Sequence, residues 1–150
     1  GWDGARVAGV KRVVVASRGQ GDGMDPALPQ GGRGWVRPMS PYAVSKLATE
    51  QSVLAYQQSF GMETLAFRFF NVYGPGQKAG HAYAAVIPIF IDALLHSRPL
   101  PINGDGSHSR DFTYVGTVCR VLLDAAMRGV SHPEPVNLAF GTNTTLPELV

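Results

Sequence analysis

Apolar residues along the chain occur in two patterns that alternate: short unbroken runs, and stretches that repeat near every 3.6 residues. In "GVKRVVVAS" the residues from Val13 to Ala16 are continuously apolar. Such a run suits a strand covered on both faces, as in a parallel sheet. Before it, "WDGARVAG" reads as the end of a helix stopped at Gly9. Further on, Val44, Leu47, Leu54 and Ala55 recur at helical spacing after Ser40 and Pro41. The serine hydroxyl can cap backbone donors there, proline suits the first helical position, and Gly61 closes the element. "ETLAFRFF" predicts a second strand running into a turn, "NVYGPG", so that a βαβ unit emerges.

The same alternation continues. An apolar helix through Ile89 to Leu95 is followed by a proline-flanked extended segment, "PLPI", and a turn signal, "NGDG". "RDFTYV" is a short strand candidate. "TVCRVLLDAAMRG" predicts a helix with Val118, Val121, Leu122 and Ala125 on one side and Gly129 as its stop. "PVNLAFG" reads as a third buried strand, and "TNTTLPEL" as another helix opening. The glycine-rich stretch over residues 18–36 reads as loop. Strands alternating with helices predict an α/β fold with a doubly wound parallel sheet. Only about three strands of that kind occur where a typical sheet has roughly five or six. The expectation is therefore a single piece of a larger domain.

Composition narrows the function classes. With 150 residues and 45% hydrophobic positions the chain can bury a core of ordinary size. The net charge of +2 comes without any run of like charges, so nothing points to nucleic acid or a membrane surface. The longest apolar stretch, residues 82–95, is interrupted by Pro88 and Asp92. It also falls short of the roughly 20 residues a membrane-spanning helix needs. Cys119 is the single cysteine, which excludes an internal disulfide framework and suits a reducing, cytoplasmic compartment. Histidines 81, 96, 108 and 132 are too scattered for a zinc site, and no nucleophile-elbow motif supports a hydrolase. A small-molecule partner is the default.

The candidate chemistry lies in "RPMSPYAVSKLATEQ". Tyr42 and Lys46 are four apart, hence on one helix face with Cβ atoms about 5–6 Å apart. Using a free phenol as a base at pH 7 costs about 4 kcal/mol, and nearby positive charges favour phenolate. A phenol and an ammonium so placed suit removal of a hydroxyl proton while hydride leaves the same carbon for a nicotinamide cofactor, with the lysine also able to hold ribose hydroxyls. The alternative is an ordinary amphipathic helix with a solvated lysine. With five tyrosines and three lysines in the chain, a Y-x-x-x-K match arises by chance about 0.1 times.

Three segments in order, "SPYAVSKLATE", "FRFFNVYGPGQ" and "INGDGSHSRDFTYV", resemble the extended short-chain dehydrogenase/reductase family in its nucleotide-sugar epimerase/dehydratase branch. "GVKRVVVAS" is similar to that family's strand before the catalytic loop, so the resemblance covers nearly the whole chain. It implies a partial Rossmann-like sheet, interleaved with segments of the smaller substrate-binding region over roughly residues 74–115. It implies Tyr42 as catalytic base, with Lys46 and Ser17 on the cofactor side. Phe69 and Val72 would lie beside the nicotinamide, although strand packing explains Phe69 equally well. Asn71 and Arg110 would hold the nucleotide-sugar phosphates, the arginine through bidentate charge-assisted bonds. Val86, Pro88 and Asn103 would line the nucleobase pocket, although core packing accounts equally well for the composition around Val86 and Pro88, and a solvated strand-edge charge is the alternative for Arg110. The implied cofactor is NAD, with NADP left open, and the implied assembly is a homodimer.

The chain departs from the family pattern in three places. The nucleotide-binding glycine motif is not among its residues, and "SRGQGDG" puts Arg18 and Gly19 where further serine hydroxyls are expected. Loss of that hydroxyl donor would lower the rate by about two to three orders of magnitude, by analogy with removed oxyanion donors. Asn103 stands where the family often has a base-stacking aromatic residue, and Gly116 and Thr117 where it has acidic ones. The leading reading is an NAD-dependent nucleotide-sugar epimerase. A 4,6-dehydratase or related reductase ranks second, because the loop carrying Asp22 shows no Asp-Glu pair. The reading from another class is a noncatalytic truncated remnant or sugar-nucleotide-binding module.

Overall fold

The computed structural model describes residues 1–18, 40–80, 85–102 and 104–150. They form two compact units. The first comprises Gly1–Phe70 and Cys119–Leu138, and the second Asn71–Val118 and Ala139–Val150.

The first unit is built on a parallel sheet of three strands. Helix α1 (Trp2–Val7) precedes β1 (Arg12–Arg18), helix α2 (Pro41–Phe60) crosses over, and β2 (Glu63–Phe69) returns beside β1. The third strand, β6 (Val136–Leu138), joins the other edge of β2, giving the order β1-β2-β6. The central position of β2 explains its composition. All five residues from Thr64 to Arg68 are buried, as a strand covered on both faces requires. Helix α2 packs on β1 and β2, and the core runs through Val15, Val53 and Ala66, with Trp2, Val13 and Leu54 against it.

The local signals for these elements act as read. Ser40 holds extended backbone angles and its Oγ accepts the Ala43 N–H at 3.1 Å, with Pro41 opening the helix. Gly61 takes the left-handed conformation, φ 66°, that ends α2 and that a side chain would strain. Gly9 and Gly129 follow their helices with φ of 75° and 69°.

The buried stripe of α2 differs from the apolar periodicity. Ala43, Glu50 and Val53 are the buried residues, whereas Val44 is 51% exposed and Ala55 is exposed. A carboxylate takes a core-facing position because it has a partner: Glu50 accepts from Arg68 Nε at 2.8 Å and Nη2 at 2.6 Å.

The second unit holds short elements. β3 (Asn71–Tyr73) pairs in parallel with β5 (Phe112–Tyr114), and β4 (Ser109–Arg110) pairs antiparallel with β7 (Thr144–Thr145). The expected turn at "NVYGPG" is thus a strand over its first three residues, and the expected single strand in "RDFTYV" is broken at Asp111. Three residues are too few to show a period, and their extended state follows from a partner about forty positions away. Helix α3 (Val86–Leu95) buries Pro88, Phe90 and Ala93. Helix α4 (Val115–Arg128) starts in the second unit and ends in the first, burying Val118 and Ala125 with Val121 and Leu122 half-buried.

Helix α5 (Leu146–Leu149) opens with a capping box in which Thr145 and Glu148 satisfy each other's backbone donors. Its Thr145 N–H, and then the Thr145 hydroxyl, hold the Glu148 carboxyl below the ordinary glutamate range. Among the described residues no helix is long and apolar enough to cross a membrane.

Candidate functional site

In the first unit the site is assembled at the ends of β1 and β2 and the start of α2. The Ser40 cap and Pro41 fix the entry of α2, so Tyr42 is its second residue and Lys46 stands one turn later. Tyr42 is 54% exposed, Lys46 is half-buried, and the Lys46 ammonium lies 5.8 Å from the Tyr42 ring centroid. From the end of β1, the Arg18 guanidinium also comes within 5.8 Å of the same ring. The phenol therefore has cations from two elements beside it.

The backbone under this pair is held from below. Ser17 is buried, at 5% exposure, and its hydroxyl donates to the Lys46 carbonyl at 3.5 Å. Ser17 pairs in register with Arg68, and Arg18 with Phe69. Arg68 is 6% exposed and Glu50 fully buried, so their two-pronged ion pair joins β2 to α2 one helical turn beyond Lys46. Arginine's planar fork suits such a bidentate bond. Phe69, half-buried, lies between Arg18 and Leu138 in the sheet.

The second unit carries the other expected residues. Asn71 opens β3, and both its backbone N–H (3.3 Å) and its side-chain Nδ2 (3.0 Å) donate to the Asp111 carbonyl. Val72 is half-buried opposite Thr113. Arg110 is exposed at the end of β4. Pro88 borders an open groove of about 500 Å³ together with Tyr73, Gln77, Ile87, Asp92 and Tyr114. A second groove, about 480 Å³, is bordered by Tyr73, Ile87, Phe90, Leu100 and Phe112. Both have the size of small-molecule sites and a largely apolar lining with few polar groups. Val86, the first residue of α3, borders neither. Asn103 and Asp22 lie outside the described residues.

Ser17, Tyr42, Lys46 and Phe69 thus share one unit, and Asn71, Val72, Val86, Pro88 and Arg110 the other. Sequence reasoning passed over three residues that the structure brings to these places: Glu50, Arg68 and Asp111. A signal existed for the first two. An arginine inside the apolar run "LAFRFF" must find a counter-charge if that run is a buried strand, and Glu50 is four residues beyond Lys46 on the facing helix. Among the described residues no cluster of three His, Cys, Asp or Glu side chains could hold a metal ion.

Residues 2–139 match the NAD dependent epimerase/dehydratase family. The chain is 36% identical to a UDP-glucose 4-epimerase of Mycolicibacterium smegmatis over 98% of its length and 47% of that protein's. It is 40% identical to a dTDP-glucose 4,6-dehydratase of Actinoplanes over 63% of its length and 28% of that protein's. Its fold is similar to that of a UDP-N-acetylglucosamine 4-epimerase from Methanobrevibacter ruminantium, solved in complex with UDP-N-acetylmuramic acid. There the TM-score is 0.91 at 34% identity, over 99% of this chain and 47% of that one. The chain spans about half the length of the epimerases it matches.

Proposed function

The chain belongs to the NAD dependent epimerase/dehydratase family, and from that premise we propose that the protein is a nucleotide-sugar 4-epimerase acting on a UDP-linked sugar. The observation that carries the reading is the Tyr42–Lys46 pair on the first turns of α2. An exposed phenol stands beside an ammonium 5.8 Å from its ring, over a backbone tied down by Ser17 and the Ser40 cap. In sequence, a UDP-glucose 4-epimerase matches 98% of the chain and a dTDP-glucose 4,6-dehydratase 63%, which supports the epimerase reading; solved dehydratases share the fold over 97% of the chain, so the fold itself does not separate the two reactions.

The residues present suit a nicotinamide ribose. Lys46, half-buried on α2, offers three donors on a flexible stem. NAD, when bound, supplies the hydride acceptor for the sugar carbon. The Tyr42 phenolate would take the proton of the hydroxyl on the carbon being oxidised, and with loss of hydride from that carbon a ketone would remain. With the keto-sugar turned over, Tyr42 would return the proton to its carbonyl oxygen as the carbon is reduced again, so the reaction would carry no net oxidation. Asn71 and Arg110 serve the diphosphate, and the groove beside Pro88 the nucleobase.

The test is turnover of UDP-glucose by the full-length protein, alone and as Tyr42→Phe. Loss of the phenolic proton carrier is expected to lower kcat by about 10²–10⁴-fold with little change in UDP-sugar affinity. Undiminished turnover by the variant would overturn the assignment.

A further inference from the structure

Asn71 and Arg110 lie on different strands, β3 and β4, yet one residue connects them. Asp111 is the single position between β4 and β5, two strands that pair with different partners. Its carbonyl takes both N–H groups of Asn71, at 3.3 Å from the backbone and 3.0 Å from Nδ2. Its carboxylate reaches in another direction: Oδ1 accepts the Phe140 N–H at 3.3 Å, and Oδ2 the Thr142 N–H at 3.0 Å. Between those two donors Gly141 has φ 73°, a left-handed bend that lets successive N–H groups converge on one carboxylate.

Two residues after Thr142 the chain forms β7, where Thr144 pairs with Arg110. Each of the two residues assigned to the diphosphate is thereby referred to Asp111. Asn71 is hydrogen-bonded to its carbonyl, and Arg110 precedes it in the chain on a strand whose partner segment its carboxylate anchors. A carboxylate near an anion site would ordinarily repel the ligand. Here the carboxylate is engaged by backbone donors, a role in which an acidic side chain orders a loop.

We propose that Asp111 is a positioning residue for the nucleotide diphosphate. It fixes the plane of the Asn71 amide and the register of Arg110 before the ligand arrives, so that binding does not have to order them. The inference rests on the nucleotide-sugar reading above and extends it to a residue that need not touch the ligand.

The experiment uses the full-length protein and UDP as probe, with binding measured by calorimetry. Asp111→Asn keeps the shape but turns one acceptor into a donor facing a backbone N–H. It is expected to weaken UDP binding at least about tenfold, while leaving the fraction of protein able to bind unchanged, which a merely unstable variant would not do. In an Arg110→Ala background the same change is expected to cost no more than about twofold, because the carboxylate acts through the segment that pairs with Arg110, and residues acting through one another are not additive. Should Asp111→Asn bind UDP like the wild type, or should the two losses multiply, the role assigned to Asp111 is wrong while the nucleotide-sugar reading stands. A wild-type protein that binds neither UDP nor a UDP-sugar overturns both.

A second measurement needs no variant. In wild-type protein labelled with ¹⁵N, saturating UDP is expected to shift the Asn71 side-chain amide and the Phe140 and Thr142 backbone amides. Shifts elsewhere with these three signals unmoved would also overturn the proposal.

Discussion

Arg68 shows how much one side chain can depend on another. It lies in β2 among Thr64, Leu65, Ala66 and Phe67, all at 5% exposure or less, and is itself only 6% exposed. Desolvating a guanidinium there is offset by the Glu50 carboxylate and two short charge-assisted bonds. Removing the arginine takes the charged partner from the buried Glu50 carboxylate: Arg68→Met is expected to lower stability by about 3–5 kcal/mol in urea unfolding, whereas Glu50→Leu with Arg68→Met restores most of the loss. A single-variant loss below about 1 kcal/mol would show that water reaches the pair. At this scale the Tyr42–Lys46 pair was legible because it is local, with four residues of helix bringing the groups together in any context. Glu50 and Arg68 are 18 positions apart on different elements, and their meeting depends on how α2 lies on the sheet.

Among the elements, α2 was the most readable. Its beginning is set by Ser40 and Pro41, its end by Gly61, and these are intrinsic preferences of single residues. What the pattern misplaced was the buried face, since Val44 and Ala55 are exposed while Glu50 is inside. Periodicity ranks residues by polarity and cannot register that a carboxylate has an arginine opposite. The cap also serves the site, because it holds the turn that carries Tyr42. Ser40→Ala is expected to cost about 1 kcal/mol in thermal or urea unfolding and to lower kcat through a frayed first turn while KM for the UDP-sugar stays the same. A drop in KM-related affinity with kcat intact would place the effect elsewhere. The short strands β3, β4, β5 and β7 were the least readable. Each has two or three residues, and its extended state is imposed by a partner remote in sequence.

For the whole molecule, the proposed chemistry is divided between two units, the proton carrier and ribose-holding lysine in one and the phosphate-holding residues in the other. Ligand linkage tests that division. A ligand present at 100 times its Kd stabilises the folded protein by about 2.7 kcal/mol. NAD should therefore raise the melting temperature of the full-length protein, and Lys46→Met should abolish most of that rise while preserving the one given by UDP. Equal NAD-induced shifts in variant and wild type would remove Lys46 from the cofactor site. The amino-acid sequence by itself determined the alternation of strands and helices, the caps of α2, the family resemblance and the Tyr42–Lys46 spacing, all set by neighbours within a few residues. Only the tertiary structure decided the buried Glu50–Arg68 pair, the pairing of β3 with β5 and the four hydrogen bonds that converge on Asp111. Those join residues 18 to 41 positions apart, and no local preference encodes an energy that exists only once the chain has brought both partners out of water.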